Sequence, residues 1–212
     1  PFSAVLGLNH AKTAILIVLV NPRAGGLLIS GPRGIGKSTL MRSTQELIER
    51  PWRDIPVSVT EDRLFGTIDT EKAIYSGQKK LYPGIINEAD QGVLYLDDAN
   101  LLREDLLDSI LNIAEVGAYQ LERDGLSLRC DTSFTVIAAI NPESGMLSGA
   151  CLDQFGLFVN VDNIHDENTR VEILKRTISF EKDCASFCKL WKLENEKIKK
   201  AIHSAMSLLP KV

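Results

Sequence analysis

The sequence has little that would tie it to a membrane, a metal cage or a polyanion. Its longest unbroken apolar run, residues 14–20, is far shorter than the roughly 20 residues needed to cross a bilayer as a helix. None of the four cysteines, Cys130, Cys151, Cys184 and Cys188, forms a C-x-x-C pair, so the common zinc and redox spacings are missing. Cys184 and Cys188 fall on one face only if their segment is helical, and free cysteines commonly behave as small hydrophobes. The three histidines, His10, His165 and His203, are scattered without a ligand partner at helical spacing. Net charge is −4, which gives no bulk attraction for nucleic acid. The cluster of Lys192, Lys197, Lys199 and Lys200 reads as a solvated helix face. No signal segment is visible, and with the unpaired thiols this favours a cytoplasmic setting. A start at Pro1-Phe2 and a stop at Lys211-Val212 read as a piece of a longer polypeptide.

What is present is an ordinary globular composition, 44% hydrophobic and 25% charged over 212 residues, enough for one sizeable domain and part of a second. Residues 9–20 read as an apolar helix stopped by Asn21-Pro22. Leu27-Leu28-Ile29-Ser30 is too short and apolar for anything but a buried strand, and 93–96 and 134–140 repeat the pattern. Helices are expected at 38–50 and 104–115, and a hairpin at 118–128 turning at Asp124-Gly125. After residue 163 the chain turns helical, at 169–178 and in a lysine-rich amphipathic stretch at 193–209. Strands alternating with helices predict an α/β fold with a parallel sheet. The expected division is an α/β unit at 1–162 and the start of a helical unit at 163–212.

One motif carries chemistry. Gly31-Pro32-Arg33-Gly34-Ile35-Gly36-Lys37-Ser38 fits G-x-x-x-x-G-K-[ST] at every fixed position, between an apolar strand and a helix, the context such a phosphate loop requires. Glycines let successive backbone N–H groups turn inward as an anion nest, backed by the positive end of the following helix. In this reading Gly31, Pro32, Arg33, Gly34, Ile35, Gly36, Lys37, Ser38 and Thr39 bind ATP, with Lys37 on the β and γ phosphates and Ser38 on Mg2+.

A phosphate loop of this kind needs a carboxylate across the metal. Val93-Leu94-Tyr95-Leu96-Asp97-Asp98 puts one at the end of an apolar strand, and Asp97 is the candidate metal partner. Asp98 stands where hydrolysing members of this class carry Glu as the water-polarising base. It is one methylene shorter, withdrawn by about an ångström, a misplacement able to cost on the order of a hundredfold in rate. Asn141, closing the strand before Pro142, is the candidate for orienting the lytic water, although Asn-Pro alone is a turn signal.

With these pieces in place, the chain resembles the AAA+ subunits of magnesium chelatase, and more distantly cobalt chelatase and MoxR ATPases. The resemblance runs over nearly the whole chain, through Pro1-Phe2-Ser3-Ala4-Val5-Leu6-Gly7, Thr60-Glu61-Asp62-Arg63-Leu64-Phe65-Gly66, Tyr82-Pro83-Gly84-Ile85-Ile86, Glu122-Arg123-Asp124-Gly125, Asn141-Pro142-Glu143-Ser144-Gly145 and Leu152-Asp153-Gln154-Phe155-Gly156. It implies a P-loop fold with a helical lid, and a ring-forming ATPase that drives magnesium insertion into a porphyrin by a separate large subunit. It also implies nucleotide between protomers, Val5 and Leu6 near the adenine, and hairpin insertions at 61–86 and 118–129 facing partners.

Gln154 stands where that family carries the arginine finger, a group worth about 10³ to 10⁵ in rate. Arg103, Arg123 and Arg129 are the possible substitutes. With Asp98 for Glu, this departure points to a chain that binds ATP well, turns it over poorly alone, and works in a hetero-oligomer. Three readings stay open: a working chelatase motor, a nucleotide-gated scaffold with little hydrolysis, and a MoxR-like remodelling ATPase.

Overall fold

A computed structural model describes residues 1–68, 81–123 and 126–209. Helices α1 (Asn9–Val20), α2 (Lys37–Gln45), α3 (Glu61–Phe65), α4 (Ile85–Glu88), α5 (Glu104–Val116), α6 (Gly149–Asp153), α7 (Glu167–Lys182) and α8 (Cys184–Leu208) alternate with strands. Strands β1 (Leu27–Ser30), β2 (Trp52–Ile55), β5 (Val93–Leu96), β8 (Thr135–Ile140) and β9 (Leu157–Asn160) form one parallel sheet in the order β2-β5-β8-β1-β9. Two antiparallel pairs stand apart from it, β3 (Gly66–Ile68) with β4 (Leu81–Pro83), and β6 (Ala118–Arg123) with β7 (Leu126–Asp131).

The central strands are buried along their whole length because helices cover both faces, which is why they read as continuous apolar runs. Strand alternation sorts their side chains into two layers. Leu27, Ile29, Val93, Tyr95, Ile137 and Ala139 pack with α1 and α2 and with Ile202 of α8. Leu28, Leu94, Leu96, Val136, Ala138 and Ile140 pack with α4 and α5 and with Cys151 of α6.

Several elements depart from the sequence expectation for identifiable reasons. The helix expected at 38–50 ends at Gln45, where Ser43 Oγ and Thr44 Oγ1 both donate to Leu40 O and Leu47 N tightens onto Thr44 O, turning Leu47 into the core. The hairpin at 118–128 extends to Asp131, and its Asp124-Gly125 turn lies outside the described residues. The two C-terminal helices are longer than expected and separated by Asp183 alone, whose carboxylate caps Ser186 N at 3.0 Å. On α8, Cys184 and Cys188 bring their sulfurs to 3.9 Å, and Lys199 pairs with Glu49 at 2.8 Å while Lys192, Lys197 and Lys200 point to solvent.

The N-terminal strap is tied to these helices. Ser3 N donates to Asn195 Oδ1 at 2.9 Å, and Arg176 donates to Ala4 O at 2.9 Å while lying 4.4 Å from the centre of the Trp191 ring.

β9 reaches its place beside β1 through a backbone crossing with no room for a side chain. A Cβ on Gly156 would lie 1.7 Å from Ala24 O. Gly156→Ala is therefore expected to destabilise the fold by about 3 kcal/mol or more, visible as a lowered thermal midpoint; an unchanged midpoint would show that the crossing yields.

Candidate nucleotide-binding site

The carboxyl edge of the sheet gathers the motif residues because β1, β8 and β5 lie side by side and all run the same way. In open α/β sheets this edge is where ligands bind. The loop leaving β1 is anchored by Gly31 N, which donates to Ile140 O at 3.2 Å. Its glycines answer two different needs. Gly31 is required by close approach, since a Cβ there would meet Val161 O at 2.6 Å. Gly34 and Gly36 are required by conformation, with φ of +78° and +96°. At Gly34 the space beside the backbone is open, so the loop's inner rim is left to main-chain groups.

Helix α2 starts at Lys37 with no side chain capping its first turn, so its leading N–H groups face the loop. Lys37 is 7% exposed, and its ammonium donates to Gly31 O at 2.5 Å and Pro32 O at 2.9 Å. Burial lowers its pKa from the usual lysine range, against the pull of Asp98, Asp97 and Glu143 and with the push of Arg33. One ammonium, three carboxylates and a guanidinium thus share one electrostatic neighbourhood. Glu143 was not singled out from sequence; its place two residues past Asn141 was the available signal.

Ser38 Oγ donates to Asp97 Oδ2 at 2.9 Å, joining the first turn of α2 to the tip of β5 across 59 residues of chain. Asp98 follows at φ +50° and ψ +48°, a left-handed conformation that Asp tolerates better than most residues. Asn141 is buried at the end of β8. Its Oδ1 accepts from Glu143 N at 3.2 Å and its Nδ2 donates to Ser144 Oγ at 3.2 Å, so both ends of the amide serve its own Asn-Pro turn. Asn100, also not singled out from sequence, clasps that turn to the loop after β5, its Nδ2 donating to Asn141 O at 3.1 Å and Gly145 O at 2.9 Å.

Val5 and Leu6 lie half-buried in the strap ahead of α1. Lys12 Nζ donates to Val5 O, and Val5, Leu8 and Ile35 are each packed against the edge of the α1–α2 core. The strap meets the phosphate loop at Leu8, whose Cδ1 lies 3.9 Å from the position of a Cβ on Gly36. Thr39 and Arg33 are exposed, and Pro32 and Ile35 partly so.

Residues 26–154 match the AAA domain of the dynein-related subfamily. The whole chain aligns with the magnesium-chelatase 38 kDa subunit of Rhodobacter capsulatus at 35% identity, spanning 70% of that protein. It aligns over its full length with the ChlI homolog of Methanocaldococcus jannaschii at 34% and with ChlI of Synechocystis at 32%, spanning 68% and 71% of them. The chain belongs to the AAA+ subunits of the magnesium-chelatase family. Among solved structures, an assembly of subunits BchI and BchD of magnesium chelatase from single-particle cryo-EM superposes with a TM-score of 0.72 at 35% identity, covering all of this chain and 76% of that one.

Gln154 follows α6 with its amide 3.5 Å from Ala150 O of the same helix. Arg103 pairs with Glu61 at 3.1 Å and with Asp105, and Arg129 pairs with Asp131 at 3.0 Å. All of these partners are exposed, so the pairs hold their arginines only weakly. The side chain of Arg123 lies outside the described residues.

Proposed function

We propose that this chain is the ATP-binding motor subunit of a magnesium-chelatase-type complex, hydrolysing ATP to drive metal insertion into a porphyrin by a larger partner subunit. The observation that carries the reading is the Ser38–Asp97 hydrogen bond, 2.9 Å long, directly beside the buried Lys37. It draws together, from distant parts of the chain, the hydroxyl, carboxylate and ammonium that a magnesium triphosphate needs.

In this reading the N–H groups of 33–38 and the start of α2 surround the phosphates, with Thr39 next to them. Lys37 exchanges the carbonyls of Gly31 and Pro32 for phosphate oxygens. Ser38 and Asp97 are the residues that would hold Mg2+. When bound, magnesium neutralises the charge growing between the β and γ phosphates. Such an ion needs few protein ligands, because phosphates and waters supply the rest. Asp98 takes the proton of the attacking water as its oxygen bonds to the γ phosphorus and the bond to the bridging oxygen breaks. Asn141 helps to orient that water, and Val5 and Leu6 face the adenine.

We assign residues 1–162 to the nucleotide-binding unit and 163–212 to the start of a helical lid. The assembly is a ring, hetero-oligomeric because this chain offers Gln154 where a neighbour's site needs an arginine. That same residue favours a second reading, a nucleotide-gated scaffold with little turnover of its own.

Steady-state ATPase assays on the purified chain, alone and mixed with a chelatase AAA+ partner that carries a finger, separate the two readings. The motor reading expects slow turnover alone and at least about a hundredfold stimulation on mixing, from a finger worth 10³ or more. Tight nucleotide binding with no stimulation supports the scaffold, and no binding at millimolar ATP ends both.

A further inference from the structure

We propose that Asn195 of α8 is a positioning residue for the base end of the bound nucleotide, acting through the strap that carries Val5 and Leu6. The inference rests on the reading of that strap as the base-facing side of the site, and extends it to a helix far along the chain. Val5 to Leu8 lie in no helix or strand, so other groups must fix them. Leu8 holds φ +54°, a left-handed conformation that a leucine keeps only where its surroundings impose it.

Three groups from the C-terminal part of the chain hold the strap. Ile164, just ahead of α7, closes over Gly7, where a Cβ would meet its Cδ1 at 2.6 Å. Arg176 donates to Ala4 O at 2.9 Å, its guanidinium kept in place by Glu172 at 3.0 Å and by the Trp191 ring. Asn195 makes the closest hold. Its Oδ1 accepts from Ser3 N at 2.9 Å and from Ser3 Oγ at 2.7 Å, which fills both lone pairs of the amide carbonyl. Its Nδ2 donates at 3.3 Å to Glu46, the residue that ends α2. One amide thus ties the strap to the far end of the helix whose first turn faces the phosphates.

The phosphate loop is fixed by other means, through Gly31 N on Ile140 O and through Leu40 and Met41 of α2 in the core. Releasing Asn195 leaves that loop in place and frees the strap alone. The base must then order the strap as it binds, and only the base's share of the affinity falls.

Calorimetric titrations with a non-hydrolysable ATP analogue and with inorganic tripolyphosphate, each in magnesium, separate the base from the phosphates. Asn195→Leu keeps the side-chain shape without its hydrogen bonds. It is expected to weaken the analogue about tenfold, the worth of two such bonds, and to leave tripolyphosphate within about twofold. Asn195→Asp still accepts both bonds from Ser3 and loses only the donor to Glu46, so it is expected to bind both ligands as the parent does. Ser3→Ala removes one bond from the strap side without altering α8, and is expected to weaken the analogue alone by about threefold. That variant decides the matter if Asn195→Leu does not fold. Equal losses for the two ligands would mark Asn195 as merely structural, and an aspartate variant as weak as the leucine one would move the effect to Glu46; either result overturns the proposal. If neither Asn195→Leu nor Ser3→Ala shifts the analogue, the role of Asn195 falls while the phosphate site stands. A parent chain that binds tripolyphosphate as tightly as the analogue ends the base-facing reading of the strap and this proposal with it, and one that binds neither ends the nucleotide site as well.

Discussion

Lys37→Ala is expected to weaken ATP binding and turnover by roughly 10²- to 10³-fold, the usual consequence of deleting a cationic donor aimed at transferring phosphate. The ammonium is buried against the loop, where its two hydrogen bonds go to Gly31 O and Pro32 O, backbone carbonyls of the loop itself. Those carbonyls accept bonds from water once the side chain is gone, so the fold is expected to melt within a few degrees of the parent. Asp97, Asp98 and Glu143 then face the triphosphate without the compensating charge, which is why the loss falls on the ligand and not on the protein. Nucleotide titration by calorimetry, paired with a thermal melt of the free protein, checks both halves. Retained affinity in a well-folded variant would remove the phosphate-loop reading.

The second large effect is a gain. Gln154→Arg is expected to raise the ATPase rate of a self-assembled ring by at least about tenfold and up to about 10³-fold, since a finger in trans is worth 10³ or more in favourable geometry. The site accepts the change: Gln154 is only part-buried, and its amide makes a single long contact of 3.5 Å to Ala150 O in its own helix. The gain acts on the neighbouring protomer, so it rises with protein concentration and disappears on dilution to monomer. Gln154→Lys is the informative control, because a point charge lacks the bidentate fork of a guanidinium and restores less. A flat response would mean that the neighbour's phosphate charge is met elsewhere, with Arg103 and Arg129 the next residues to replace. Both lie in exposed ion pairs that cost little to break.

Much of the architecture was legible in the sequence because the relevant signals are local. The run from Leu27 to Ser30 could only be a doubly covered strand, and the bounds of α1 follow from an apolar segment ended by Asn21-Pro22. The strands that escaped detection are the two at the sheet margins. In β2 only Trp52 and Ile55 are buried, with Arg53 and Asp54 exposed between them, and β9 alternates between half-buried and exposed. An edge strand covered on fewer sides needs fewer apolar residues and carries charge that discourages further pairing, so its sequence resembles a loop. The end of α2 was missed for another reason: the hydroxyls of Ser43 and Thr44 compete for a helical carbonyl, and the burial of Leu47 decides the outcome.

The candidate site divides along the same line. The order of glycines, lysine and serine in the loop, and the acidic pair after an apolar strand, are properties of short segments, and those segments determined by themselves that a phosphate cradle and a facing carboxylate belong to this chain. Only the tertiary structure decided that Ser38 meets Asp97, that Lys37 shares its surroundings with Glu143, and that Asn100 clasps the turn at Asn141. The physical reason is that strand order is set by how helices cover the two faces of the whole sheet. Which strand tips become neighbours is therefore a property of the packed molecule, written in no single stretch of its chain.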